Sequence, residues 1–227
     1  TSPPKWHLAH TTCFFETFIL QPFMTDYRPY HPLYSYLFNS YYRHVGERWE
    51  RPKRGDLSRP TVQDVYAYRA AVDDRMMQLI DTLDAPQWSE AYDRIVLGMH
   101  HEQQHQELLL TDILHALSQN PIAPAYDADW QAPRARSSVG GFADLPSGIH
   151  RIGFKGEGSC FDNEAPAHDV LLQRARIARG LVTNAQWLEF IADGGYATPS
   201  LWLSDGWAAL ETEGWNAPGY WRERDGV

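Results

Sequence analysis

His101 and His105 stand four residues apart inside an unbroken helical pattern, and this pair constrains the fold more than any other stretch of the chain. Residues four apart on an α-helix lie one above the other on the same face, so the two imidazoles can be offered to one ion. On a helix, that spacing is a metal-site signature. Tyr92, Ile95, Val96 and Met99 carry the helix into the pair, Leu108, Leu109, Ile113 and Leu117 carry it onward, and Asn120-Pro121 is a stop signal. A reactive metal centre usually has three protein ligands, so another element must bring a third group to this face.

Upstream patterning supplies three partner helices. The first begins after Pro3-Pro4, with Trp6, His10, Phe14 and Phe18 at helical spacing. A second is predicted from about Pro32, with the stripe Leu33, Leu37, Tyr41 and Val45 flanked by Tyr34, Phe38 and Tyr42. A basic connection, Arg48 to Gly55, follows. Thr61 with Asp64 three residues on is close to a capping box. It opens a third helix through Val65, Arg69, Val72, Met76, Leu79 and Leu83. Four helices with short connections suggest an antiparallel bundle, which builds metal sites in its core.

The character changes at about Pro121. Residues 121–148, rich in Pro, Ala, Gly and Ser, read as a linker. Short strands are predicted at Ile149–Ile152 and Val170–Leu172, and a helix capped by Thr183 or Asn184 carries Trp187, Phe190 and Ile191 up to Gly194-Gly195. Beyond it, Trp202, Trp207, Trp215 and Trp221 among Gly and Pro suggest loops on aromatic anchors. The fold class is therefore α+β, mainly α, with a bundle over 1–120 and a second domain over 149–227.

Composition narrows the function. A net charge of −9 argues against a nucleic-acid surface, which needs clustered Lys and Arg. No apolar run approaches a membrane span. Two cysteines are too few for a disulfide framework, so a cytoplasmic location is expected. Neither Thr1-Ser2-Pro3-Pro4 nor Arg224–Val227 reads as a natural terminus, and a fragment is expected.

Five histidines are candidates for the third ligand: His7, His10, His31, His44 and His115. His10 shares its face with Phe14 and Phe18, which continue into the core, and His7 lies on nearly the same face. His115 and His100 are rotated away from the metal face. His101-Glu102-Gln103-Gln104-His105 also fits the HExxH of zinc metalloproteases, with Glu102 as general base. The longer metzincin pattern fails, because Leu108 and Thr111 replace its Gly and third His.

Lys5-Trp6-His7-Leu8-Ala9-His10-Thr11-Thr12, Tyr41-Tyr42 and His101–Glu107 together resemble the iron-dependent sulfoxide synthases of ergothioneine biosynthesis, EgtB. Phe161–Val170 looks like the start of that family's second domain. The resemblance implies a DinB-like four-helix bundle followed by part of a C-type-lectin-like, formylglycine-generating-enzyme-like domain. It implies Fe(II) held by His10, His101 and His105. It also implies an O₂-dependent reaction joining cysteine or γ-glutamylcysteine to trimethylhistidine (hercynine), with oxidation of the sulfur. Gln104 would hydrogen-bond the trimethylhistidine ring, Arg51 and Arg54 would clamp the thiol substrate's carboxylate, and Tyr41 or Tyr42 would act as proton or electron donor. The tyrosine pair points to the branch that uses free cysteine. The remaining C-terminal part of the chain's own second domain is the expected partner. A DinB-like three-His thiol transferase is the alternative within the same architecture.

Overall fold

The computed structural model describes residues 1–40, 47–131 and 140–223. It divides into two units, residues 1–130 and 131–227.

In the first unit, α1 (Pro4–Phe15) starts with proline in its first turn, where a missing N–H costs nothing. It runs on through a π-helical stretch, Glu16–Leu20, and a last turn, Gln21–Phe23. Expected as a one-faced amphipathic helix, α1 is buried on nearly all sides: Trp6, His7, Ala9, His10, Thr11, Thr12, Cys13 and Phe14 are all inside. It is the central helix, packed against each of the others.

The second helix differs from its predicted extent. Among the described residues α2 covers only Tyr34–Phe38, and Asn39 is already extended at ψ 141°. The carbonyls freed at its end are claimed by side chains of α1. Trp6 Nε1–H donates to the Leu37 oxygen at 3.1 Å, and His10 Nδ1–H donates to the Phe38 oxygen. Helix-terminal carbonyls need such partners when buried. The end of α2 therefore orients two rings of α1. Tyr41, Tyr42, His44 and Val45 lie outside the described residues.

The third helix, α3 (Val62–Thr82), opens on the expected capping box, Thr61 accepting from the Asp64 N–H while Asp64 accepts from the Thr61 N–H. Val65, Tyr68, Val72, Met76 and Leu79 form its buried stripe. Arg69 turns instead toward α4 (Ala85–Ser118), the helix of the histidine pair, which is capped by Asp84 and Gln87 in the same manner. Gly98 lets α4 approach α1 closely: a Cβ there would lie 2.7 Å from the Phe15 ring. This contact sits one turn before His101. The core joins α1, α2 and α3 through Trp6, Phe14, Ile19, Leu20, Phe38, Val65, Tyr68 and Val72.

The second unit holds four short strands in two antiparallel pairs. The two strands expected from the sequence form as β2 (Gly148–Ile152) and β3 (His168–Leu172), and the structure pairs them antiparallel. Outside that pair, β1 (Phe142–Leu145) pairs with β4 (Ala175–Ala178), Phe142 facing Ala178. Both β1 and the start of β2 lie within the 121–148 stretch read as linker. Four residues are too few to show an alternation, and the partner of β1 is distant in sequence. Helix α5 (Asn184–Ala192) is capped by Thr183 and stopped by Gly194 at φ +79°. Where loops were expected, α6 (Ser204–Glu213) forms, ended by Gly214 at φ +65°. The Trp202 anchor does hold a loop, donating from Nε1 to the Gly195 oxygen at 2.8 Å. No helix among the described residues is long and apolar enough to cross a membrane.

Candidate metal centre

Three imidazoles meet between α1 and α4. One ring nitrogen each of His10, His101 and His105 lies within 4.8 Å of the others. The ring centroids are 4.9 Å apart for His10 and His101, 4.6 Å for His10 and His105, and 4.7 Å for His101 and His105. Helical spacing delivers the α4 pair, and α1 brings His10 opposite them, with Trp6 stacked on its ring at 4.6 Å.

The hydrogen-bond partners decide which nitrogens are available. A carbonyl can only accept, so the bond to Phe38 places the His10 proton on Nδ1 and leaves Nε2 bare in the neutral ring. His101 Nδ1 is buried with no hydrogen-bond partner among the described residues. Such a nitrogen is costly to bury, and a cation relieves the cost. Three neutral imidazoles and an orphaned nitrogen fit a divalent transition metal.

Burial above all pushes His10 down from 6.5 to about 2 and His105 to about 3, and it also lowers His101 and His7. A ring whose folded pKa lies below its unfolded value binds fewer protons folded than unfolded in the window between them. Stability from these rings is therefore complete above the unfolded value of 6.5 and declines as pH falls toward the folded values. We expect the metal-free protein to show a level Tm above about pH 7 and a falling one toward about pH 5. A Tm independent of pH across that interval would show that the rings ionise freely in the folded state.

A cavity of about 260 Å³ opens beside the histidines, lined by residues that include Arg51, Arg54 and Gln104. These three expected substrate-binding residues thus share one cavity with the three histidines. Arg54 is only 5% exposed, lies 3.5 Å over the Trp6 ring, and donates to the hydroxyls of Ser2 and Ser40. Arg51, by contrast, is exposed at the rim. Ser40, which precedes Tyr41 in the chain, also lines the cavity; the tyrosines themselves are outside the described residues.

Other histidines fall elsewhere. His31, His100 and His115 are exposed, and His100 faces Gln103 at 3.2 Å. His7 is buried but directed at His105, with Nδ1 to Nδ1 at 2.9 Å. Glu102 pairs with Arg69 of α3 at 3.0 Å, an ion pair that was not anticipated from the sequence. Its signal was weak, because Arg69 sits on the same periodic stripe as the core residues.

Residues 1–109 match the model of the DinB superfamily. They form a DinB-superfamily domain. Beyond this domain the likeness extends along the chain. The hercynine oxygenase of Mycolicibacterium smegmatis is 34% identical over 225 residues, covering 97% of this chain and 49% of that protein. That of Mycolicibacterium thermoresistibile is 30% identical over 227 residues, covering 97% and 47%. That of Mycobacterium tuberculosis is 32% identical over 122 residues, covering 54% and 28%. The chain spans about half the length of the first two relatives. The resemblance to EgtB-type enzymes, drawn from the histidine and tyrosine motifs, is borne out, and the three-His cluster lies within the DinB domain.

Proposed function

We propose that the chain is part of an Fe(II)- and O₂-dependent sulfoxide synthase that joins hercynine to a thiol, cysteine in preference to γ-glutamylcysteine. The observation that carries this reading is the meeting of three neutral imidazoles with two arginines and a glutamine on one cavity. The names of its relatives support the substrate. His10, His101 and His105 would hold the metal, and when bound it would supply the O₂ chemistry that no side chain provides. The balance closes on one O₂. Joining the ring carbon to sulfur removes a C–H and an S–H proton with two electrons, and oxidising the sulfur removes two more. One oxygen atom enters the sulfoxide and the other leaves as water.

The chain's own residues would position the substrates. Arg51 and Arg54 would bind the thiol's carboxylate by charge-assisted hydrogen bonds. Trp6 backs the Arg54 guanidinium and holds it beside the metal histidines. Gln104 would hydrogen-bond the hercynine ring. Tyr41 or Tyr42 would carry a proton at its phenol oxygen. Two free cysteines, Cys13 buried and Cys160 exposed, accord with a reducing cytoplasm.

The protease reading is disfavoured by Glu102, whose carboxylate is held by Arg69 rather than left to act as a base. A thiol transferase would need no hercynine. The deciding experiment loads the intact natural protein with Fe(II) anaerobically, then admits air with hercynine and each thiol in separate tubes. A product with the mass of the hercynyl thiol sulfoxide is expected; thiol consumption without hercynine would favour the transferase instead.

Substituting leucine for Arg51 or Arg54 should raise the thiol KM far more than the hercynine KM. A lost charge-assisted bond costs about 1.5–3 kcal/mol, which is roughly tenfold to a hundredfold. Equal increases for both substrates would reject the clamp.

A further inference from the structure

We propose that His7 and Asp112 form a hydrogen-bonded relay that fixes His105 in the tautomer able to bind a metal through Nε2. The inference rests on the three-His reading of the metal centre and assigns a role to two residues outside that set.

The argument follows from which atoms can donate. Asp112 Oδ2 accepts the backbone N–H of Ser2 at 3.0 Å and lies 3.1 Å from His7 Nε2. A carboxylate only accepts, so His7 Nε2 carries a proton. A neutral imidazole has one N–H, which leaves His7 Nδ1 bare. That bare nitrogen faces His105 Nδ1 at 2.9 Å. Two lone pairs at this distance would repel, so the proton between them belongs to His105 Nδ1. His105 Nε2 is then left with the lone pair that a cation requires. Each link forces the next.

The helices make this arrangement persistent. Asp112 follows His105 by seven residues, two turns along the same face of α4, and His7 from α1 bridges the two. His7 is 5% exposed, so water does not compete for either nitrogen. Both of its nitrogens are engaged by these partners, which explains why it lies beside the three-imidazole cluster without joining it. Partners of this kind on a ligating histidine set its tautomer and ring orientation, and their loss typically costs about 10–100-fold in metal affinity.

Two measurements test the relay. Imidazole ¹⁵N spectra of the metal-free protein should show His105 protonated at Nδ1, and His7→Phe should shift it toward the Nε2–H form. Co(II) affinity, measured by chelator competition, should fall about 10–100-fold in His7→Phe and Asp112→Leu with one equivalent still bound. His7→Gln, whose amide oxygen can accept, should recover part of the loss. An unchanged His105 tautomer together with unchanged Co(II) affinity in His7→Phe would overturn the relay. Complete loss of Co(II) in His7→Phe, matching His10→Ala, would overturn it as well by making His7 a ligand. Full Co(II) binding by both His10→Ala and His101→Ala would reject the metal reading itself, and the metal-free tautomer would still decide the relay. Thermal melts accompany every variant, and Asp112→Leu replaces any His7 variant that does not fold.

Discussion

Alanine at His10, His101 or His105 is expected to remove stoichiometric binding of a divalent metal while leaving the helices folded. Each ring supplies one of three nitrogens clustered within 4.8 Å, and no carboxylate or thiolate joins them among the described residues. Two imidazoles would remain after each substitution, with solvent in place of the third. The loss should therefore exceed the roughly 10–100-fold attached to partners one step removed from a metal. Anaerobic titration with Fe(II) or Co(II) reads the stoichiometry, and circular dichroism checks the fold. Retention of a full equivalent by His10→Ala would move the site off α1 and reject the ligand set.

The same chemistry predicts how the site responds to competitors and to pH. Imidazole ligands obey the usual affinity order, so Ni(II) and Zn(II) should displace Fe(II) in vitro. Metal binding to histidine ordinarily competes with protons. Here burial pushes His10 down to about 2 and His105 to about 3, so near neutral pH protons compete little with a metal for those two rings.

Local patterns were legible where they were complete within one turn or two. The i,i+4 histidine pair and the Thr61–Asp64 box are each written in a few neighbouring residues and formed as read, and of the two caps left open at Thr183 and Asn184 the helix uses Thr183. The grouping of His10, His101 and His105 with Arg51, Arg54 and Gln104 was implied by resemblance alone, and all six line one cavity. What escaped depends on partners far apart in the chain. Strand β1 is defined only by β4, more than 30 residues away by the pairing of Phe142 with Ala178. Helix α2 ends at Phe38, and the carbonyls of its last two residues are claimed by Trp6 and His10, partners that no local propensity records. His7 had the right face to be a ligand, and only its contacts with His105 and Asp112 separate it from one.

Glu16 was invisible for the same reason, and its removal should produce the largest loss of stability from a single residue outside the metal cluster. It is 1% exposed at the start of the π-helical stretch, an unusual place for a carboxylate. Three donors from distant positions converge on it. Tyr27 O–H and Tyr30 N–H reach Oε1 at 2.8 and 2.7 Å, and Tyr68 O–H reaches Oε2 at 2.6 Å. Burial above all, reinforced by Glu16, pushes both phenols well above the usual tyrosine range, so they remain donors. Replacing Glu16 by alanine strands these groups and leaves a void between α1 and α3. Of the three donors only Tyr68 is fully buried; stranding its hydroxyl costs about 1–3 kcal/mol, and the void with the two part-buried donors brings the expected total to the order of 3–5 kcal/mol. For a chain of this length that corresponds to a Tm drop on the order of 10 °C. Glu16→Gln should be milder, since its amide oxygen can serve Tyr27 and Tyr30 while its N–H₂ donates to the Tyr68 oxygen, reversing one bond without breaking it. Calorimetry on the metal-free proteins ranks the three. If Glu16→Ala melted within about 2 °C of wild type, the convergence on Glu16 would contribute little to holding α1 against α3.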